Sequence, residues 1–280
     1  MSAKTVGIFV FSPFFLITSA PVLAQISAPT MCYNFKGVGS DVKTASDLMK
    51  NGPTFTAHGT AAVTASTGYG GGGGAEIGEA GHLEAPSHPL FQFTEEFAIG
   101  FIMKSRDISS EKVLIEQYDP RNDKAGWTIT MLHGGKIRID GRASVGITVP
   151  ESYQPGHSKP DTIRSARYAR PGNWHKVLVM HRRSAAKKSH FDTLIWVDGV
   201  LSAIRPQEDD QFAVTGSSVL IGKGIRRHPS GTMPNKNKNI ISSGLSFDEL
   251  WVWHNRALND QEVKDWFKEV EKRADKPTRP

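Results

Sequence analysis

Hydrophobic and polar positions alternate with a period of two along much of this chain. Phe97, Ile99, Phe101 and Met103 alternate with smaller residues. Trp127, Ile129 and Met131 do the same before Gly134-Gly135 leads into Ile137 and Ile139. Successive side chains of a strand point to opposite faces, so each run predicts a half-buried strand, and the second run a hairpin. Residues 175–181 (His-Lys-Val-Leu-Val-Met-His) predict another strand, and residues 193–202 a second hairpin turning at Asp198-Gly199. Val219 and Ile221 mark a short strand before Gly222. Many short strands divided by turn signals predict an all-β fold of two packed antiparallel sheets.

Residues 244–258, Gly-Leu-Ser-Phe-Asp-Glu-Leu-Trp-Val-Trp-His-Asn-Arg-Ala-Leu, predict a strand that runs into a turn and a helix. Strict alternation puts Asp248, Leu250 and Val252 on one face and Phe247, Glu249, Trp251 and Trp253 on the other. A carboxylate in register with two core aliphatics is costly unless it is satisfied. A metal ion, backbone N–H groups or an arginine would each satisfy it. The helix follows: Asn259 can cap it, Glu262 stands in a capping-box position, and Val263, Trp266, Phe267 and Val270 form an apolar stripe for docking on the sandwich. Residues 65–81, with Gly70 to Gly74, and residues 150–172 and 222–244 read as long loops, and long loops on a rigid sandwich often carry function.

The N-terminus changes the picture. Lys4, an apolar run from Val6 to Ile17, and Val22 and Ala24 before Gln25 make residues 1–24 a secretory signal peptide by pattern. The expected product is exported, periplasmic or extracellular, with one domain over residues 25–273 and a flexible tail at 274–280. No later apolar run predicts a membrane span. The single cysteine, Cys32, excludes an intrachain disulfide and reads as a small buried thiol. The formal charge of +6 falls to +5 without Lys4, and it is clustered: Arg164, Arg167 and Arg170; Arg182, Arg183, Lys187 and Lys188; Arg226, Arg227, Lys236 and Lys238. Such clusters either favour an anionic partner or mark solvated loops.

Four segments in this order resemble the laminin G-like, concanavalin A-like jelly-roll family: Gly81-His-Leu-Glu-Ala-Pro86 with Phe97–Met103; Gly172-Asn-Trp-His-Lys-Val-Leu-Val179; Leu194-Ile-Trp-Val-Asp-Gly-Val-Leu201; and Gly244-Leu-Ser-Phe-Asp-Glu-Leu with Asn255-Arg-Ala-Leu258 and Glu262. The resemblance implies a two-sheet antiparallel jelly-roll sandwich with a short C-terminal helix. It also implies one structural calcium, for which Asp248 supplies a carboxylate oxygen. Carbonyls near residues 34–37 and 78–82 would complete the site, and Asp41 would add a second carboxylate. Lys36 departs from the family, which often has an acid there.

The family includes lectins, adhesion modules and β-glucan hydrolases, and fold does not choose among them. The Glu-x-Asp-x-x-Glu string of the related glucanases is absent. A polysaccharide lyase would draw on residues such as Tyr118, His133, Arg138, Tyr153, His175, His181 and Arg182, which the sequence does not bring together. A zinc site is not expected, since no His pair has convincing ligand spacing with a third ligand nearby. Binding fits better: the expected ligand is a carbohydrate, an acidic polysaccharide by the basic clusters, or a cell-surface partner. Arg164, Arg167, Arg226 and Arg227 are the contact candidates. A carbohydrate-active enzyme is the alternative. Trp251 and Trp253 read as packing beneath the terminal helix rather than as a sugar platform, and a nucleic-acid partner is not expected.

Overall fold

The period-two runs are strands, and they stack as two sheets. In a computed structural model of the chain, the residues described are 26–35, 43–64, 67–118, 126–131, 135–141, 162–186, 190–208, 215–227 and 237–274. In chain order the strands are β1 (Met31–Asn34), β2 (Thr44–Ala45), β3 (Phe55–His58), β4 (Ala62–Thr64), β5 (Gly74–Ile77), β6 (His82–Ala85), β7 (Phe97–Ser105), β8 (Lys112–Tyr118) and β9 (Gly126–Met131). They continue as β10 (Lys136–Gly141), β11 (Thr162–Tyr168), β12 (Trp174–Arg183), β13 (His190–Val197), β14 (Val200–Glu208), β15 (Val219–Ile221), β16 (Lys223–Arg227), β17 (Asn237–Ile241) and β18 (Leu245–Trp253), followed by helix α1 (Asp260–Ala274). The first sheet has the order β14-β13-β12-β7-β18-β5-β4, with β1 also paired to β18. The second has the order β11-β10-β9-β8-β15-β6-β3-β2, and β16 and β17 form a separate hairpin.

The inward side chains of both sheets meet in one core. Phe97, Ile99, Phe101 and Met103 of β7 and Val177 and Val179 of β12 face Ile115, Trp127, Ile129 and Met131 of β8 and β9. Phe35, Phe55, Phe91 and Phe93 fill one end, and Phe55 meets Tyr33 edge-on at 5.0 Å. At about 25 cal/mol per Å² of apolar surface buried, such a layer is the main stabiliser of the fold. Asp198 and Gly199 turn the β13–β14 hairpin with φ of 52° and 77°, the left-handed conformation that a two-residue hairpin turn requires.

A second apolar cluster lies on the other side of the first sheet. There Val263, Trp266, Phe267 and Val270 of α1 cover Leu178, Met180, Leu194, Trp196, Trp251 and Trp253. The indole of Trp266 rests on Gly100, where a Cβ would come within 2.6 Å of the ring. The helix begins as its sequence predicts. Asn259 Oδ1 accepts from the Glu262 N–H at 2.9 Å, and Glu262 Oε2 accepts from the Asn259 N–H at 2.9 Å.

Strand β18 departs from strict alternation. Phe247 pairs with Met103 and Leu250 with Phe101, so two residues, Asp248 and Glu249, stand opposite Ile102. This is a β-bulge. It puts Phe247, rather than Asp248, in the inter-sheet core with Leu250 and Val252. The expected register of Asp248 with those aliphatics is therefore corrected: one inserted residue resets the face of everything before it.

Candidate functional site

The two outer faces of the sandwich differ in what covers them. On the first sheet, the tryptophans of β18 are packed away. Trp251 is 6% exposed and Trp253 1%. Trp253 Nε1 donates to the Ser27 carbonyl at 3.0 Å, and Trp251 Nε1 to Glu249 Oε2 at 2.9 Å. Glu249 is itself buried, and its other oxygen takes the Arg273 guanidinium of α1 at 2.8 Å. Arg273 also lies 5.0 Å over the Trp251 ring. A buried carboxylate is tolerated when it is paired and hydrogen-bonded, and this one ties the last turn of α1 to β18. This face holds the fold together, and Trp251 and Trp253 are covered rather than presented to a ligand.

The outer face of the second sheet is polar. One row of registered residues crosses all eight strands: Thr44, Thr56, Glu84, Leu220, Glu116, Thr128, Asp140 and Thr162. At its centre Thr128 Oγ1 donates to Glu116 Oε2 at 2.9 Å, with both side chains buried. Hairpin β16–β17 lies over this part of β8. A Cβ on Gly224 would come within 2.8 Å of the Glu116 carboxyl and of Val113, so only glycine lets the hairpin approach so closely.

The four arginine candidates sit on strands, not in loops as expected. Arg164 and Arg167 lie in β11, the edge strand of the second sheet, and Arg226 and Arg227 in β16 of the overlying hairpin. Arg164 is registered opposite Arg138 of β10, and Arg138 opposite Thr130 of β9. Arg226 is registered opposite Lys238 of β17. Residues 150–161 and 228–236 of the predicted loops lie outside the described residues, as do the signal peptide assigned to 1–24 and residues 275–280 of the tail assigned to 274–280, whose first residue, Ala274, ends α1.

Asp248 is 5% exposed and lies where the edge of β18 changes partner. Before it, Phe247 pairs with Ala75 of β5; after it, Glu249 pairs with Asn34 of β1. Its own carbonyl accepts from the Phe35 N–H at 3.0 Å, so the end of β1, one of the two carbonyl segments named above, lies alongside. The other expected segment is elsewhere. Ile77 pairs with Leu245, so residues 78–82 continue past the start of β18 and away from Asp248. Asp41, Lys36 and Gly37 lie outside the described residues. The Gly70–Gly74 run forms part of a short 3-10 turn, Tyr69–Gly71, and the start of β5.

The remaining chemistry-bearing candidates have structural partners. His175 Nδ1 lies 2.9 Å from Asp198 Oδ2, which fastens the β13–β14 turn to β12. His181 is 1% exposed, stacks on Phe191 at 4.6 Å and meets Thr193 Oγ1 at 2.8 Å. Arg182 pairs with Asp260 at 2.8 Å. Burial, with Glu249 adding to it, pushes the Cys32 thiol up to about 12, which keeps it protonated and unreactive. Histidines 175 and 181 thus have partners within the fold, while His133 and Tyr153 lie outside the described residues. Sequence reasoning missed Asp47, whose carboxylate accepts from the N–H groups of Cys32, Met49, Asn51 and Gly52 at 2.7–3.1 Å. It also missed a cluster of His58, His82 and Glu84 on the polar face. Cross-strand register assembles that cluster, which sequence spacing cannot show.

No family model and no curated protein matches the chain. Solved structures do. The binding domain of botulinum neurotoxin DC in complex with SialylT has a TM-score of 0.57 at 9% identity, covering 87% of this chain and 52% of that one. The same toxin's binding domain in complex with rat synaptotagmin II gives 0.57 at 10%, covering 87% and 52%. The binding domain of Paraclostridial Mosquitocidal Protein 1 gives 0.54 at 14%, again covering 87% and 52%. At these identities the likeness is one of fold, a β-sandwich found in binding domains. The chain spans about half the length of each of these structures.

Proposed function

We propose that the chain is an exported binding module of the laminin G-like kind, whose basic strands take an anionic ligand, an acidic glycan at a cell surface. The observation that carries this reading is the register of like charges, Arg138 opposite Arg164 and Arg226 opposite Lys238. Like charges directly opposite each other destabilise a strand pair. A bound anion removes that cost, and guanidinium forks match carboxylates and sulfates in geometry as well as charge. The fold's neighbours support binding over catalysis by analogy: their printed descriptions are of binding domains, one in complex with SialylT and one with a protein. The family assignment rests on the four motif segments, whose β-rich parts fall on β6, β7, β12, the β13–β14 hairpin and β18.

A calcium ion at Asp248 belongs to the same proposal. Its support is a buried carboxylate at the seam between β1 and β5, with the end of β1 beside it. Asp248 would give a carboxylate oxygen, and carbonyls near Asn34 and Phe35 would share the ion. The ion's positive charge would sit against the buried carboxylate.

A glycan array run beside a polysaccharide degradation screen tests the proposal. The expected result is saturable, salt-sensitive binding to uronate- or sulfate-bearing glycans, without new reducing ends or unsaturated uronate absorbance. Degradation would replace the reading with an enzymatic one. Salt-insensitive binding confined to neutral glycans would remove the basic strands from it.

A further inference from the structure

We propose that His58, His82 and Glu84 form a binding site for a divalent transition-metal ion of the zinc type, with two imidazoles and one carboxylate oxygen as ligands. His58 of β3 is registered directly opposite His82 of β6, and Glu84 follows His82 by two residues. Ala57 and Leu83, the next pair along, point into the core. Alternation therefore turns the two histidines and Glu84 to the same outer face. One ligand atom from each of the three lies within 4.8 Å of the others. Glu84 Oε2 is 3.6 Å from His82 Nε2 and 3.9 Å from His58 Nε2, too far for good hydrogen bonds. Donors about 2.0–2.2 Å from one tetrahedral ion stand about 3.3–3.6 Å apart, so a small side-chain adjustment brings all three onto it. Imidazole with carboxylate selects zinc-like ions over calcium, which prefers oxygen ligands throughout.

The backbone holds this arrangement in place. The turn after β3 and the turn before β6 interlock next to the histidines. A Cβ on Gly59 would come within 2.1 Å of the Ala80 carbonyl, and one on Gly81 within 2.3 Å of the Ala61 nitrogen. The Ala80 N–H donates to Thr60 Oγ1 at 3.1 Å across the same junction. The two rings stack with centroids 4.9 Å apart and planes inclined by 16°. Protonating both stacked rings would place two like charges together, and a shared metal ion uses their lone pairs instead. Burial, then Lys223 and His58, hold His82 below the ordinary imidazole value despite Glu84. Three protein ligands leave a coordination position for water or for a donor from a bound partner. Lys223 is the neighbouring cation whose charge opposes the ion.

The test is a zinc titration of the untagged chain by calorimetry, with the histidine ring resonances followed by NMR. The expected result is one zinc equivalent bound, shifts at His58 and His82, reversal by chelator, and no displacement by excess calcium. His82→Ala and Glu84→Gln should each weaken binding at least about tenfold, as loss of a ligand must exceed the effect of losing one of its supporting groups. Lys223→Met should tighten it. Glu84→Gln nearly preserves shape, so its circular dichroism should match wild type even if His82→Ala folds poorly. Absence of zinc binding, or equal affinity in the wild type and Glu84→Gln, would overturn the three-ligand site.

Discussion

The two outer faces of this sandwich are built differently. On the first sheet, α1 lays Trp266 and Phe267 over Trp251 and Trp253, and the polar atoms beneath are paired inward, Glu249 to Arg273 and to the Trp251 indole. On the second sheet and the hairpin over it, carboxylates, threonines and basic residues line up across the strands, with Arg138 opposite Arg164 in the sheet and Arg226 opposite Lys238 in the hairpin. The buried Glu249 is compensated within the chain, whereas Arg138 stands in register with Arg164 and Arg226 with Lys238. The comparison teaches where to look for function: the face rich in aromatic residues serves stability, and the face with like charges in register is the one proposed for recognition.

The division breaks most visibly at the helix. Trp266→Ala should cost about 3–5 kcal/mol in urea unfolding, because it removes a fully buried indole from the cluster over Gly100. Glycan affinity measured below the lowered melting temperature should stay within about twofold of wild type. A parallel loss of affinity would show that the faces are not independent. At the seam between the sheets' partners, calcium at a hundredfold its Kd should add about 2.7 kcal/mol of stability, and Asp248→Asn should blunt that response. An unchanged melting curve in calcium and in chelator would remove the ion from the account.

A smaller loss, about 1–3 kcal/mol, is expected for Gly100→Ala, since the new methyl must push the Trp266 ring from its seat. Weakest is the helix start. Asn259→Ala should cost about 1 kcal/mol. Glu262 is subject to burial, which raises its pKa, but donors from Ser27, Asn259 and Arg256 outweigh this and hold the carboxyl below its ordinary 4.5. A lowered folded value means that its contribution is present above 4.5 and lost as pH falls toward the folded value. Urea midpoints across acidic pH should therefore show a shallower decline for Glu262→Gln, and an identical decline would contradict the capping role.

Much of this architecture was legible in the sequence because it rests on local chemistry. Period-two runs at Phe97–Met103 and Trp127–Met131, the Asp198-Gly199 turn, and the Asn259–Glu262 box each carry their own physical signal. What was not legible depends on register or on tertiary cover. A bulge exchanged Asp248 for Phe247 in the core, and nothing in the local pattern marks the extra residue. Asn237, Lys238 and Asn239 look like a loop, yet they pair with β16 as a hairpin over β8. Residues 162–168 look like part of a loop, yet they pair with β10 as the edge strand of the second sheet. His58 and His82 meet only because β3 pairs with β6, across two turns that the sequence shows as unrelated glycines.

The claim that the polar face recognises an anion is tested most directly by one pair of affinities. An acidic glycan that binds the wild type should be titrated at low salt and at about 0.5 M salt, where screening is strong. The same titration is then made with Arg164, Arg167, Arg226 and Arg227 all changed to alanine. The account predicts at least about a tenfold loss in the variant at low salt, shrinking as salt rises, with its melting temperature retained or raised because like-charge register has been relieved. Equal affinity of the two proteins at low salt would contradict it.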